Sequence, residues 1–251
     1  MPRILLNGCG GRMGMAIVKL AAGMEDILIA AGCDLNSPDA VAFPVFRNIV
    51  DCSVPVDVVV DFSHPSAMQG VIAYCAQKNI PLVMATTGLT EYQIAQIEEL
   101  SLSIPVFYSA NMSMGVNLLM EISKIAASFT DGLFDIEIIE KHHNRKIDAP
   151  SGTALAIADI INEALSAPKR IVTDRYGRRE ERSTDEIGIH SVRGGTIVGE
   201  HTVLFAGRDE IIEIKHEALS RDIFASGALK AARFIHGKQA GLYSMRDIIV
   251  K

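Results

Sequence analysis

The sequence predicts an α/β protein: a parallel sheet wound between helices, joined to a second region with a mixed, partly antiparallel sheet of four strands. Three observations predict it. Apolar runs of strand length alternate with helix-length segments from the N-terminus onward. The first run ends in a glycine-rich turn, and the second ends on an acidic residue. From Phe134 onward the apolar period changes to two, with glycine breaks and charged loops between runs.

"RILLN" is the first strand, "GCGGRMG" the turn, "MAIVKLAAG" has helical spacing, and "DILIAAGCD" resumes a strand ending on Asp34. A glycine turn lets the backbone approach a pyrophosphate, whose charge suits the free N–H groups at a helix start. A carboxylate about twenty residues past the turn can accept hydrogen bonds from the two ribose hydroxyls. The pattern is not strict GxGxxG, because Met13 falls where that register puts its last glycine, and it reads better as GxxGRMG. The bland alternative is a tight βα turn with no ligand.

The alternation continues through "VDVVVDF", a helix opened by Pro65, "IPLVMATTG", the helical "TEYQIAQIEELSL" and "IPVFYSANMS". Such alternation means parallel strands with right-handed crossovers, and ligands at their carboxyl ends. Those ends carry Phe62-Ser63-His64, Thr86-Thr87-Gly88 and Ser109-Ala110-Asn111-Met112. Hydroxyls and amides there suit a nicotinamide ribose and carboxamide; His64 reads as an ordinary loop histidine.

After the helical "GVNLLMEISKIAASF", "FDIEIIE" puts Phe134, Ile136 and Ile138 on one face. Three further strand-like runs follow between residues 186 and 218, and residues 169–186 read as a solvated loop of both charge signs. The last long segment is helical to Ile235, with Gly237 as its stop. Residues 1–113 and 223–251 are thus expected to form the dinucleotide-binding domain, and 114–222 the substrate-binding and oligomerisation domain. An uncovered sheet face there favours a homo-oligomer.

The 251 residues are 49% hydrophobic with a net charge of −6, so a core is affordable and nucleic acid is a poor partner. No signal peptide or membrane-length apolar stretch is evident, and Cys9, Cys33, Cys52 and Cys75 lack CxxC spacing. A soluble cytoplasmic protein with buried reduced thiols is expected.

One stretch resists a purely structural reading: "EKHHNRKIDAPSGTALAIADII", residues 140–161. Ser151 is placed to cap a helix starting at Gly152, leaving the N–H groups of Gly152 and Thr153 for an anion. His142, His143 and Lys146 stand just upstream. A small carboxylate that must receive a proton is the natural client, since histidine titrates near neutrality and lysine holds carboxylates. A capped helix behind a basic surface turn is the alternative. Metal is not expected, because adjacent histidines diverge and no cysteine or carboxylate stands at ligand spacing.

"GCGGRMG", "ATTG", "SANMSMGVN", "EIIEKHHNRKIDAPSGTA", "VGEHTVLFA" and "GLYSMRDII" together resemble the 4-hydroxy-tetrahydrodipicolinate (dihydrodipicolinate) reductase family of bacterial lysine and diaminopimelate synthesis. The resemblance spans nearly the whole chain. It implies a Rossmann-like nucleotide domain, NADH or NADPH as reductant, a cyclic dicarboxylate substrate and a homotetramer. It assigns proton transfer to His142 and Lys146, and substrate binding to His143, Gly152 and Thr153. Cofactor contacts carry over to Gly8, Cys9, Gly10, Gly11, Arg12, Met13, Asp34, Ala85, Thr86, Thr87, Ser109, Ala110, Asn111 and Met112. Ala85 departs from the family, many members having glycine there. Leu35 stands where members accepting NADPH often have arginine, so NADH is the expected preference, with Arg12 partly offsetting Asp34. Two other readings stay open: an amino-acid or semialdehyde dehydrogenase, the latter lacking a suitably placed cysteine, and an NAD-sensing module without turnover.

Overall fold

The computed structural model describes residues 1–36, 38 and 41–249. The chain divides into two compact units, Met1–Met114 with Arg221–Lys251, and Gly115–Ser220.

The first unit is built on β1 (Arg3–Asn7), β2 (Leu28–Cys33), β3 (Val45–Phe46), β4 (Val58–Asp61), β5 (Leu82–Met84) and β6 (Pro105–Tyr108). A late strand, which becomes β12 below, completes the sheet. All pairings are parallel. Residues alternate between two cores, as a strand covered on both faces requires. Ile4, Leu6, Val58 and Val60 face one cluster, which takes in Ile17 of helix α1 (Arg12–Ala21). Leu5 and Val59 face the other, with Val71 and Cys75 of α2 (Met68–Lys78) and Ile97 of α3 (Glu91–Ser101). A 3₁₀ turn at Pro65–Ala67 precedes α2, so Pro65 opens a short turn and not the α-helix itself. All four cysteines are free and buried.

The second unit contains most of α4 (Met114–Thr130), then β7 (Asp135–His142), α5 (Gly152–Asn162), β8 (Arg170–Val172), β9 (Glu186–Arg193), β10 (Gly199–Ala206) and β11 (Ile211–Ala218). The sheet order is β11-β10-β7-β9-β8. β10 runs antiparallel to β7 and β11, while β7, β9 and β8 are mutually parallel. The mixed sheet was expected; its strand count was not. It has five strands instead of four, because three residues of the supposed charged loop, Arg170, Ile171 and Val172, pair with β9 and form the edge strand. A run that short carries no readable period. Strict alternation along β7 buries Ile136, Ile138, Glu140 and His142. The two isoleucines join Ile157, Ala158, Ile187, Val203 and Phe205 in one core.

After the second unit the chain forms α6 (Asp222–Ile235), β12 (Gly241–Tyr243) and α7 (Arg246–Ile249). The first sheet then reads β12-β6-β5-β4-β1-β2-β3. β3 and β12, both at its edges, were not anticipated, again for want of length. Strands leave β1 toward β2 on one side and toward β4 on the other, so the order reverses between β1 and β4, where a ligand crevice belongs. Small residues on α6 bring it close to its neighbours: a Cβ on Gly227 would lie 1.7 Å from the Met112 carbonyl oxygen.

Candidate active site

At the reversal point Gly8 leaves β1 with φ +81, a conformation glycine adopts freely. A Cβ there would come within 2.5 Å of the Phe62 carbonyl oxygen, so the turn lies directly against the end of β4. N-cap Gly11 offers no side chain to the start of α1, leaving backbone N–H groups for an anion. Asp34 Oδ2 accepts from the Gly10 N–H at 2.9 Å, and Oδ1 from the Asn36 N–H at 3.0 Å. These contacts hold the carboxylate beside the turn. A cavity of about 700 Å³ opens there, lined by Gly8, Gly11, Asp34, Leu35, Arg47 and Ser63 among others. Its size and its bare-backbone rim fit a dinucleotide. Arg47 in this lining went unnoticed in the sequence, because it lies outside every motif.

The other expected cofactor residues separate into two groups. Gly10, Gly11, Arg12, Thr87 and Ala110 are exposed, and Met13, Ser109 and Asn111 partly so. Cys9, Ala85, Thr86 and Met112 are buried. Cys9 turns its thiol into the core, where burial pushes it up to about 11, so only its backbone can meet a ligand. Thr86 donates its hydroxyl to Asp61 Oδ2 at 2.6 Å. Asn7 Nδ2 and the Ser63 hydroxyl donate to Oδ1, each at 2.6 Å. This buried carboxylate under the strand ends was missed. Burial raises its pKa despite the three donors. Ser109 Oγ accepts from the Asn111 N–H and donates to the Asn111 carbonyl, shaping the loop after β6. His64 caps the 3₁₀ turn by accepting from the Ser66 N–H.

In the second unit Ser151 caps α5, its Oγ accepting from the Ala154 N–H at 3.2 Å. Lys146 Nζ lies 2.8 Å from Asp148 Oδ1. That hydrogen bond, with a smaller one from the Gly152 N–H, holds the Asp148 carboxyl below its ordinary range. A side-chain carboxylate thus already rests on the lysine and helix start expected to bind an anion. His143 Nδ1 is buried with no hydrogen-bond partner among the described residues, an orphan that suits a polar ligand.

His142 closes the buried face of β7, and its Nδ1 lies 2.6 Å from Glu140 Oε2. Burial lowers its pKa, Glu140 raises it, and Lys146 and Arg193 lower it again. A Cβ on Gly199 would lie 3.1 Å from His142 Nε2, so the glycine keeps that ring edge uncrowded. Burial alone would raise Glu140, but hydrogen bonds from Arg193, Ser191 and His142 bring it down to about 2. His201 stacks edge-on against His142 at 5.2 Å between centroids, and burial pushes it down to about 4. Its Nε2 lies 3.1 Å from Ser151 Oγ. Glu140, Arg193 and His201 all went unremarked in the sequence. For Glu140 the signal was there: it continues the inward face of Ile136 and Ile138. Among the described residues no cluster of histidine, cysteine and carboxylate could hold a metal ion. Nor is any described helix long and apolar enough to cross a membrane.

The first unit thus carries a glycine turn with bare backbone N–H groups, and the second a buried histidine–carboxylate pair near a lysine-held carboxylate. Residues 2–112 match the family model for the N-terminus of dihydrodipicolinate reductase, and residues 115–249 that for its C-terminus. The chain is 49% identical over 251 residues to the 4-hydroxy-tetrahydrodipicolinate reductase of Caldanaerobacter subterraneus subsp. tengcongensis, covering 100% of this chain and 99% of that one. The enzyme of the same name from Clostridium novyi is 47% identical, covering 99% and 98%. Dipicolinate-bound dihydrodipicolinate reductase from Paenisporosarcina sp. TG-14 superposes with a TM-score of 0.84 at 28% identity, covering 100% of both chains. Aspartate dehydrogenase from Thermotoga maritima, 16% identical with a TM-score of 0.54 over 95% and 98%, shares the fold alone. The fold is a Rossmann-type nucleotide-binding dehydrogenase fold, which implies NAD(P)H use. This chain is a member of the dihydrodipicolinate reductase family of oxidoreductases.

Proposed function

We propose that this chain reduces 4-hydroxy-tetrahydrodipicolinate to tetrahydrodipicolinate with release of water, using NADH in preference to NADPH, with His142 as proton donor and Lys146 holding a substrate carboxylate. The reductase activity follows from family membership. One observation carries it. His142, Lys146 and the N-terminus of α5 converge where Asp148 already occupies the cradle with a carboxylate.

When bound, the reduced nicotinamide supplies a hydride to the conjugated ring of the substrate. The glycine turn would hold the pyrophosphate and Asp34 the ribose, with Ala85 to Thr87 and Ser109 to Met112 around the nicotinamide end. Loss of the 4-hydroxyl and a neighbouring C–H as water first creates that conjugated ring, and His142 then delivers from Nε2 the proton that matches the hydride. Lys146, His143, Gly152 and Thr153 orient the two carboxylates. Such positioning can contribute up to about 7–11 kcal/mol, and a placed general acid about 10²–10⁴-fold.

His142→Gln is therefore expected to lower kcat by about 10²–10⁴-fold with little change in KM, followed by NADH absorbance in an assay coupled to the preceding synthase. Turnover close to the wild type would remove His142 from its role. Lys146→Ala should impair both parameters. The homotetramer belongs to the same proposal: Leu118, Ile122, Ile125 and Phe129 form an exposed apolar stripe along α4, which a second copy would cover. A monomeric mass by light scattering would overturn it.

A further inference from the structure

The proposed chemistry leaves the buried Glu140 without a task, yet every hydrogen bond around it points one way. Arg193 donates through Nη1 to Oε2 at 2.8 Å and through Nη2 to Oε1 at 2.7 Å. The Ser151 N–H donates to Oε1 at 3.2 Å. Three N–H donors converging on two oxygens suit an ionised, acceptor-only carboxylate. His142 Nδ1, 2.6 Å from Oε2, can then meet it only as a donor, because a bare nitrogen lone pair there would face oxygen lone pairs.

We propose that Glu140 is the positioning residue of the reaction: it fixes the Nδ1–H tautomer of His142, leaves Nε2 as the proton-delivering atom, and ties that ring to the start of α5. This rests on His142 being the acid. The same carboxylate binds the imidazole and the backbone of the capping residue Ser151, so the acid and the anion cradle share one anchor. Carboxylate support of this kind sets the tautomer and raises the basicity of the opposite nitrogen.

The charged and titratable groups around His142 are Glu140 on its own strand, Arg193 on β9, His201 on β10 and Lys146 on the loop after β7. Arg193 also donates to the Asp148 carbonyl, and Asp148 pairs with Lys146. Of the groups acting on His142, Glu140 is the one that favours imidazolium. Its removal should therefore move the alkaline limb of kcat/KM, set by His142 in free enzyme, to lower pH.

The experiment uses the full chain with ¹⁵N-labelled histidine rings. His142→Gln identifies the His142 resonances, and Glu140→Gln provides the perturbation. The wild type should show Nδ1 protonated and Nε2 bare at high pH. Glu140→Gln should shift the kcat/KM limb down by about one pH unit or more and lower kcat by about 10²-fold. A wild-type spectrum with Nε2–H, or an unmoved limb in Glu140→Gln, overturns the proposal. Should Glu140→Gln fail to fold, Glu140→Asp keeps the charge: a lowered kcat with the limb near its wild-type position supports the clamp, while unchanged kcat overturns it. If His142→Gln turns over normally while the wild type still shows Nδ1–H, the acid assignment falls and the tautomer clamp stands.

Discussion

Helix α1 in the first unit starts behind bare glycines; helix α5 in the second starts behind a hydroxyl, a carboxylate and a lysine. Both starts are suited to anions, but by different means. The α1 start offers backbone N–H groups without a capping side chain, which accommodate a large diphosphate by shape and demand no protonation state. The α5 start surrounds its N–H groups with side chains that titrate or carry charge, so it can hold a carboxylate and deliver a proton beside it.

The largest effect should come from filling the two cradles with a methyl group. A Cβ on Gly14 would lie 2.1 Å from the Gly8 carbonyl oxygen and 2.7 Å from Cys9 backbone atoms, none of which can rotate away. On Gly152 it would meet nothing within 4 Å. Gly14→Ala should force the turn open and weaken NADH binding, read by fluorescence titration, by roughly 100-fold or more. Gly152→Ala should fold normally and bind NADH as before, while KM for the dicarboxylate rises several-fold as the methyl obstructs its approach. Unchanged NADH affinity in Gly14→Ala would break the contrast from one side. Unchanged KM in Gly152→Ala would break it from the other.

Much of this was legible in the sequence because the motifs are local. The glycine turn and Ser151 sit within a few residues of the helix each serves, and Asp34 stands at the fixed spacing of one strand–helix–strand unit from the turn. Glu140 was legible in principle, through the period-two burial of β7, but its carboxylate reads as a solvent-facing charge until Arg193 is known to reach it. Arg193 and His201 could not be located: they come from β9 and β10, and only the register across the sheet sets them against β7. β3, β8 and β12 were lost for a different reason, since strands of two or three residues are defined by their partners and not by their own pattern.

Register also decides the two buried carboxylates, and their opposite behaviour should appear in acid stability. Asp61 has neutral donors and a raised pKa, so it costs stability as pH climbs past its unfolded value near 3.8. Glu140 has Arg193 and is held at about 2 against 4.5 unfolded, so its contribution is complete above pH 4.5 and is lost as pH falls toward 2. His201, held at about 4 against 6.5, costs stability as pH falls from 6.5 to 4. Urea titrations across pH should show Glu140→Gln flattening the lower window and His201→Gln the upper one. A wild-type slope retained in either variant would assign acid unfolding to other groups.

The smallest expected effect lies in the first cradle, where side chains do enter. Asp34 repels a 2′-phosphate, and Leu35 beside it supplies no cation, whereas Arg47 lines the same cavity. Wild-type kcat/KM should favour NADH over NADPH, with Arg47 adding to Arg12 as a source of residual tolerance. An exposed ion pair is worth about 0.2–1 kcal/mol, so Arg47→Ala should lower kcat/KM for NADPH by up to about fivefold and leave NADH unchanged. That loss should shrink as salt is raised, because the pair is open to solvent. Equal losses with both cofactors would place Arg47 against the part they share, and discrimination would then rest on Asp34 alone.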